Sequence, residues 1–108
     1  MSYKIEVTSN FQKEAKRLSK KYSSFKKELS DLFELLSEFP QSGTPLGNNI
    51  YKIRLKIASK NKGKSGGARV LTFVKIENET VLLFSIYNKG DVDSLSDNQI
   101  KNLINDFL

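Results

Sequence analysis

The sequence predicts an α+β fold: an N-terminal strand, a helical hairpin, a three-stranded antiparallel meander and a C-terminal helix, with the helices packed on one face of the sheet. Three observations carry this reading. Tyr3, Ile5 and Val7 alternate with Lys4, Glu6 and Thr8, the period of a half-buried strand. Residues 11–39 then place their apolar side chains at helical spacing. Residues 50–87 return to strand-like runs separated by turn-forming residues. A chain of 108 residues, 38% of them hydrophobic, suits one domain spanning 1–108 with a modest core.

Each element has a local cause. Ser9 precedes Gln12 by three residues, a capping-box spacing, and opens a helix whose stripe is Phe11, Ala15, Leu18 and Tyr22. A break around residues 22–24 leads to a second stripe, Phe25, Leu29, Leu32, Phe33, Leu36 and Phe39, which Pro40 stops. So short a connection makes the two helices an antiparallel hairpin. Residues 41–49, with Gly43, Pro45 and Gly47, read as a loop. Strands follow at 50–57, 69–76 and 81–87, the first two linked by a basic, Gly-rich loop at 59–67. The nearly continuous apolar run of the last strand places it inside the sheet. A polar turn at 88–94 precedes Ser96 and Gln99, a second capping-box pair, ahead of Ile100, Leu103, Ile104 and Phe107.

Composition excludes several chemistries. The chain has no Cys, so it carries no disulfide, thiol nucleophile or thiolate metal site. It has no His, so the usual neutral-pH proton shuttle and the commonest metal ligand are missing. Acid–base chemistry is left to Lys, Arg, Tyr, Asp and Glu, and no metal or other cofactor is expected. No apolar stretch has the length of a signal peptide or a membrane span, so the expected location is the cytoplasm, away from membranes. Gly63-Lys64-Ser65 imitates the end of a phosphate-binding loop, but Ala58 stands where the first Gly belongs, and a strand follows instead of a helix. Asp91, Asp93 and Asp97 lack the spacing of a calcium loop and suit a polar turn before a helix.

The charge is unevenly spread. The net charge is +6, yet residues 40–75 alone hold eight basic side chains and no acidic one. Residues 76–108 hold six acidic and two basic side chains. Such asymmetry points to a polyanionic partner, nucleic acid or an acidic protein segment. Within the basic third, Lys52, Arg54 and Lys56 lie on one face of a strand, and like charges in a row oppose stability. Lys60, Lys62 and Lys64 extend the basic surface through the loop. If the first two meander strands pair, Arg69 comes near the row, and Tyr87 and Lys89 close the group from the third strand. A set of Lys, Arg and Tyr side chains can cleave RNA without a metal. The ribose 2′-OH attacks the adjacent phosphate, a Lys or Tyr with lowered pKa accepts the proton, and Arg supports the developing charge. Clustered positive charge is expected to lower the pKa of a neighbouring Lys or Tyr.

The elements "YKIRL", "GKSGGARV" and "LLFSIYNKGDVDSLSDNQI", in this order after a helical hairpin, resemble the RelE/HigB branch of the RelE/ParE toxin superfamily. The resemblance spans essentially the whole chain, and "GKSGGARV" is its most specific piece. It implies a RelE-like fold and a toxin that cuts mRNA in the ribosomal A site and is silenced by a cognate antitoxin. Lys52 and Arg54 match the family's basic pair, Arg69 its phosphate-stabilising Arg, and Lys89 its basic turn after the last strand. The sequence departs from that pattern twice. Gly90 stands where a second Arg follows the Lys, and residues 91–96 contain no Tyr, leaving Tyr87 the nearest phenol. Two other functions fit the same residues: a ParE-type inhibitor of DNA gyrase, and a basic RNA-binding protein without catalysis.

Overall fold

The computed structural model describes residues 2–58, 67–88 and 95–105. In chain order these form β1 (Lys4–Val7), α1 (Ser9–Lys21), α2 (Phe25–Glu38), β2 (Thr44–Gly47), β3 (Ile50–Leu55), β4 (Ala68–Lys75), β5 (Thr80–Asn88) and α3 (Asp97–Ile104). The α+β architecture is the expected one. The strands make one mixed sheet in the order β1-β5-β4-β3-β2, with β1 parallel to β5 and every other pair antiparallel. Among the described residues, no helix is long and apolar enough to cross a membrane.

Local chemistry accounts for the element ends, with one shift. The cap of α1 is Thr8, not Ser9: the Thr8 hydroxyl accepts from the Phe11 amide at 3.1 Å. At α3 the expected capping box forms, with Ser96 Oγ accepting from the Gln99 amide at 3.2 Å and Gln99 Oε1 accepting from the Ser96 amide at 2.8 Å. The expected loop at 41–49 contains a short edge strand, β2, whose Pro45 and Gly47 disguise it in sequence. Proline is tolerated there because an edge strand leaves amides unpaired in any case. Asn48 and Asn49, both at positive φ (55° and 64°), make the tight turn into β3, a backbone that Asn adopts more readily than most residues.

The two faces of the sheet are covered differently, and here the expectation of all helices on one face fails. The α1–α2 hairpin packs Phe11, Leu18, Phe25, Leu32 and Leu36 onto Ile53, Leu55, Val70, Val81 and Leu83. The other face carries a smaller cluster in which Leu71, Phe84 and Tyr87 meet Ile104 of α3. The cause lies in β5. Every one of its residues is buried, so both of its sides require cover. A register shift between Leu71 and Thr72 of β4 leaves Phe84 as an extra residue on β5, a bulge that lets Phe84 and Tyr87 both join the α3 side.

Gly67 fixes the entry to β4. Its φ is +99°, and a Cβ there would collide with the Leu55 carbonyl oxygen, so only glycine lets the chain come this close to the end of β3. At the other end of the same connection, the Ala58 amide donates to Glu28 Oε2 of α2 at 2.6 Å. Both ends of the basic connection are thereby tied to the core.

Candidate active site

Alternation along β3 sends Ile53 and Leu55 into the hairpin core and Lys52 and Arg54 to the opposite face. Pairing of β3 with β4 sets Arg54 directly opposite Arg69 and Lys52 opposite Leu71. Pairing of β4 with β5 sets Arg69 opposite Tyr87. Arg54, Arg69 and Tyr87 thus form one row across three adjacent strands, spaced by about 4.8 Å per strand. Lys52 flanks the row half-buried, and Lys56, just beyond the end of β3, is exposed. Lys60, Lys62, Lys64 and Lys89 lie outside the described residues, as does Gly90.

Among the described residues the row is electrostatically uncompensated. The one ion pair among the described residues joins Lys27 and Asp31 on α2, 3.7 Å apart and solvent-exposed. Lys52, Arg54, Lys56 and Arg69 have no carboxylate partner among those residues. The Arg69 guanidinium makes one hydrogen bond, donating from Nη1 to its neighbour's carbonyl, Ala68 O, at 3.3 Å. Two guanidinium-bearing residues paired directly across strands repel each other, and no carboxylate among the described residues relieves them.

Tyr87 is a packed strand aromatic, 7% exposed, whose hydroxyl makes no hydrogen bond among the described residues and is not sealed from solvent. Burial pushes its phenol pKa up, and the nearby Arg69 charge pulls it down by less. The expected lowering by clustered cations is therefore reversed at this position, because desolvation of the phenolate outweighs one neighbouring charge.

A residue that the sequence reading passed over adjoins this row. Glu14 of α1 lies where β1 has ended and the edge of β5 is open. Its Oε1 accepts from the Ile86 amide at 3.1 Å, from Ser85 Oγ at 3.3 Å and from Asn10 Nδ2 at 3.2 Å. Burial pushes the Glu14 carboxyl above the ordinary carboxylate range, against the opposing pull of these donors and of Arg17. The signal was present in the spacing: Glu14 falls three residues after Phe11 and four before Leu18, so a carboxylate interrupts the apolar stripe.

Fold and site together define a small α+β protein whose sheet carries a row of cations ending on a phenol, with no carboxylate partner among the described residues. Comparison with known proteins narrows this class. The family described as the RelE toxin of the RelE / RelB toxin-antitoxin system matches residues 3–105, and the chain belongs to that family. The structure is similar to that of E. coli toxin RelE in the free state, an arginine-to-alanine double mutant, with TM-score 0.68, 20% identity and 100% coverage of both chains. It is also similar to the intact E. coli RelBE toxin-antitoxin complex, with TM-score 0.61 and 23% identity over 79% of this chain and 94% of that one. A third similarity, TM-score 0.58 at 20% identity, covers 94% of this chain and 93% of the E. coli RelE mutant in complex with a RelB-derived antitoxin peptide. At these identities the structural matches establish the shared fold.

Proposed function

We propose that this RelE-family toxin is a metal-independent endoribonuclease, a single domain that cleaves mRNA on the ribosome in the cytoplasm and is neutralised by a cognate antitoxin. The observation that carries the reading is the row Arg54, Arg69 and Tyr87, with its two cations unpaired among the described residues and side by side. An arrangement that opposes folding is retained where a polyanion compensates it.

In this reading the 2′-OH of the RNA attacks the adjacent phosphorus. The new O–P bond forms as the bond to the departing 5′-oxygen breaks, leaving a 2′,3′-cyclic phosphate. Arg69, with Lys52 and Arg54 beside it, supports the negative charge that builds on the phosphoryl oxygens. Tyr87, a phenol protonated at neutral pH and pushed further up by burial, is suited to give its proton to the leaving oxygen. Lys89 supplies phosphate support on the side where Gly90 replaces an arginine. Lys56, Lys60, Lys62 and Lys64 hold the RNA backbone, a salt-dependent contribution without sequence information. The E. coli relative is solved with the RelB antitoxin, and by analogy the partner here is a protein whose acidic segment covers the basic stretch 40–75.

Induced expression followed by pulse-labelling tests the reading. Protein synthesis should stop before DNA replication does. Replication arrest first, with a DNA-damage response, would favour gyrase inhibition. Unimpaired growth would leave a non-catalytic RNA-binding protein.

A further inference from the structure

Glu14 has a geometry that edge-covering alone does not require. Its Oε1 is held by three donors, one of them the backbone amide of the residue before Tyr87. Oε2 has no hydrogen-bond donor among the described residues and is not sealed from solvent. The carboxylate lines a cleft of about 370 Å³ between α1, β5 and α3, in company with Tyr87, Ser85, Gln99 and Asn102. A second, smaller cleft on the Arg17 and Lys21 side is also shared by Glu14 and Tyr87. Tyr87 stands opposite Arg69, so Glu14 continues the row one position past β5, about 10 Å, or two strand spacings, from the β4 backbone. One ribose–phosphate unit bridges such a gap, with its phosphate toward the guanidinium and its sugar toward the carboxylate.

We propose that Glu14 is the general base of the site, its Oε2 taking the proton of the attacking 2′-hydroxyl while Tyr87 protonates the leaving 5′-oxygen. Atoms balance. The 2′-oxygen loses its proton to Oε2 and gains phosphorus, and the 5′-oxygen loses phosphorus and gains the phenolic proton. The cyclic phosphate and the 5′-hydroxyl end depart, and solvent returns the protons. The inference rests on the endoribonuclease reading and adds a base to it. Burial supports the assignment from a second direction, since a carboxylate of raised proton affinity is a stronger base than an exposed one, while Tyr87 holds its proton as an acid must. Among the described residues, the charged and titratable groups around Glu14 are Arg17 and Lys21 on α1 and Tyr87 on β5. The α3 residues at the cleft, Gln99, Asn102 and Leu103, carry no charge.

The test is single-turnover cleavage of a ribosome-bound mRNA by Glu14→Gln and Glu14→Asp across the acidic to neutral pH range. Affinity is measured in parallel with the same mRNA carrying a 2′-deoxy residue at the cut site. The glutamine oxygen still accepts from the Ile86 amide, so β5 keeps its edge partner. Glu14→Gln should cut about a hundredfold more slowly at neutral pH, with affinity unchanged and the acidic limb of the rate profile abolished. Glu14→Asp should keep that limb at a reduced rate. A Glu14→Gln rate within about threefold of the parent, or an intact acidic limb, overturns the assignment. So does a parallel loss of rate, affinity and thermal stability, which would mark a purely structural residue. Should Glu14→Gln fail to fold, the parent profile decides, because a rate flat through the carboxylate range excludes Glu14 as base. A parent protein that leaves RNA intact brings down the endoribonuclease reading itself, whereas a parent that cleaves beside a fully active Glu14→Gln brings down this inference alone.

Discussion

Neighbouring residues of β3 live in two different environments. Ile53 and Leu55 point into the hairpin core, where they are 7% exposed and packed among Val70, Leu36 and Phe25. Lys52 and Arg54 point to the α3 side, where the facing residues are Leu71 and Arg69 and no carboxylate among the described residues balances the charge. One face is apolar and dry and holds the fold together. The other carries the smaller apolar cluster under α3 and, beside it, like charges that repel one another. Stability and the proposed chemistry thus fall to alternate residues of the same strand, and substitutions on the two faces should fail in opposite ways.

The sharpest form of that comparison sets Arg69→Ala against Leu55→Ala. Arg69→Ala should lower single-turnover cleavage by at least about a hundredfold, the scale of losing one transition-state donor. Its stability should stay within about 0.5 kcal/mol of the parent, or rise as repulsion from Arg54 is relieved. Leu55→Ala should instead cost about 2–5 kcal/mol in denaturant unfolding, with cleavage by the still-folded fraction little changed. An Arg69→Ala protein that is unstable but active per folded molecule would erase the distinction. Gly67→Ala joins the two faces. It forces a side chain against the Leu55 carbonyl at a φ of +99°, so it should cost about 1–3 kcal/mol and, by disturbing the end of the β3–β4 ladder, slow cleavage as well.

A smaller effect distinguishes Glu14 from ordinary surface carboxylates. Its native-state proton affinity is raised, so the folded protein binds this proton more tightly than the unfolded chain does. Its contribution to stability is present below the unfolded carboxyl pKa and is lost as pH rises through the folded value. A melting curve of the parent minus that of Glu14→Gln should show this downward slope just above the ordinary carboxylate range, and an upward one would reverse the sign of the burial effect. Smallest of all is Lys56→Ala, which should lower the salt dependence of RNA binding by about one charge equivalent while leaving the cleavage step intact.

Much of the fold was legible because periodicity reports burial. Helical stripes at 11–22 and 25–36 and alternation at 50–57 follow from which side chains face the core, and the second capping box falls on Ser96, whereas Phe39, expected to close the second stripe, lies past the end of α2 and is exposed. β2 was not legible because an edge strand tolerates the Pro and Gly that read as loop. The position of α3 was hidden because β5 is buried along its whole length, and a nearly continuous apolar run does not say which helix covers which side. Within the site, the meeting of Arg54 with Arg69 follows from antiparallel pairing of two strands consecutive in the sequence. The pairing of Glu14 with the Ser85–Ile86 edge spans about seventy residues of sequence and depends on where β1 stops. Local pattern carries no register of that kind. The rise in the Tyr87 pKa was missed for a related reason, since charge can be counted in a sequence and desolvation cannot.

The central claim is that the charged face performs chemistry on RNA. The most direct measurement is the end structure of an mRNA cut by the purified protein on ribosomes, compared between an all-ribose message and one with a single 2′-deoxy residue at the cut site. Attack by the 2′-hydroxyl should leave a 2′,3′-cyclic phosphate on the upstream fragment, a 5′-hydroxyl on the downstream one, and no cleavage of the deoxy-substituted message. Cleavage of the deoxy message, or a linear 3′-hydroxyl end on the upstream fragment, would show that a nucleophile other than the 2′-hydroxyl acts and would contradict it.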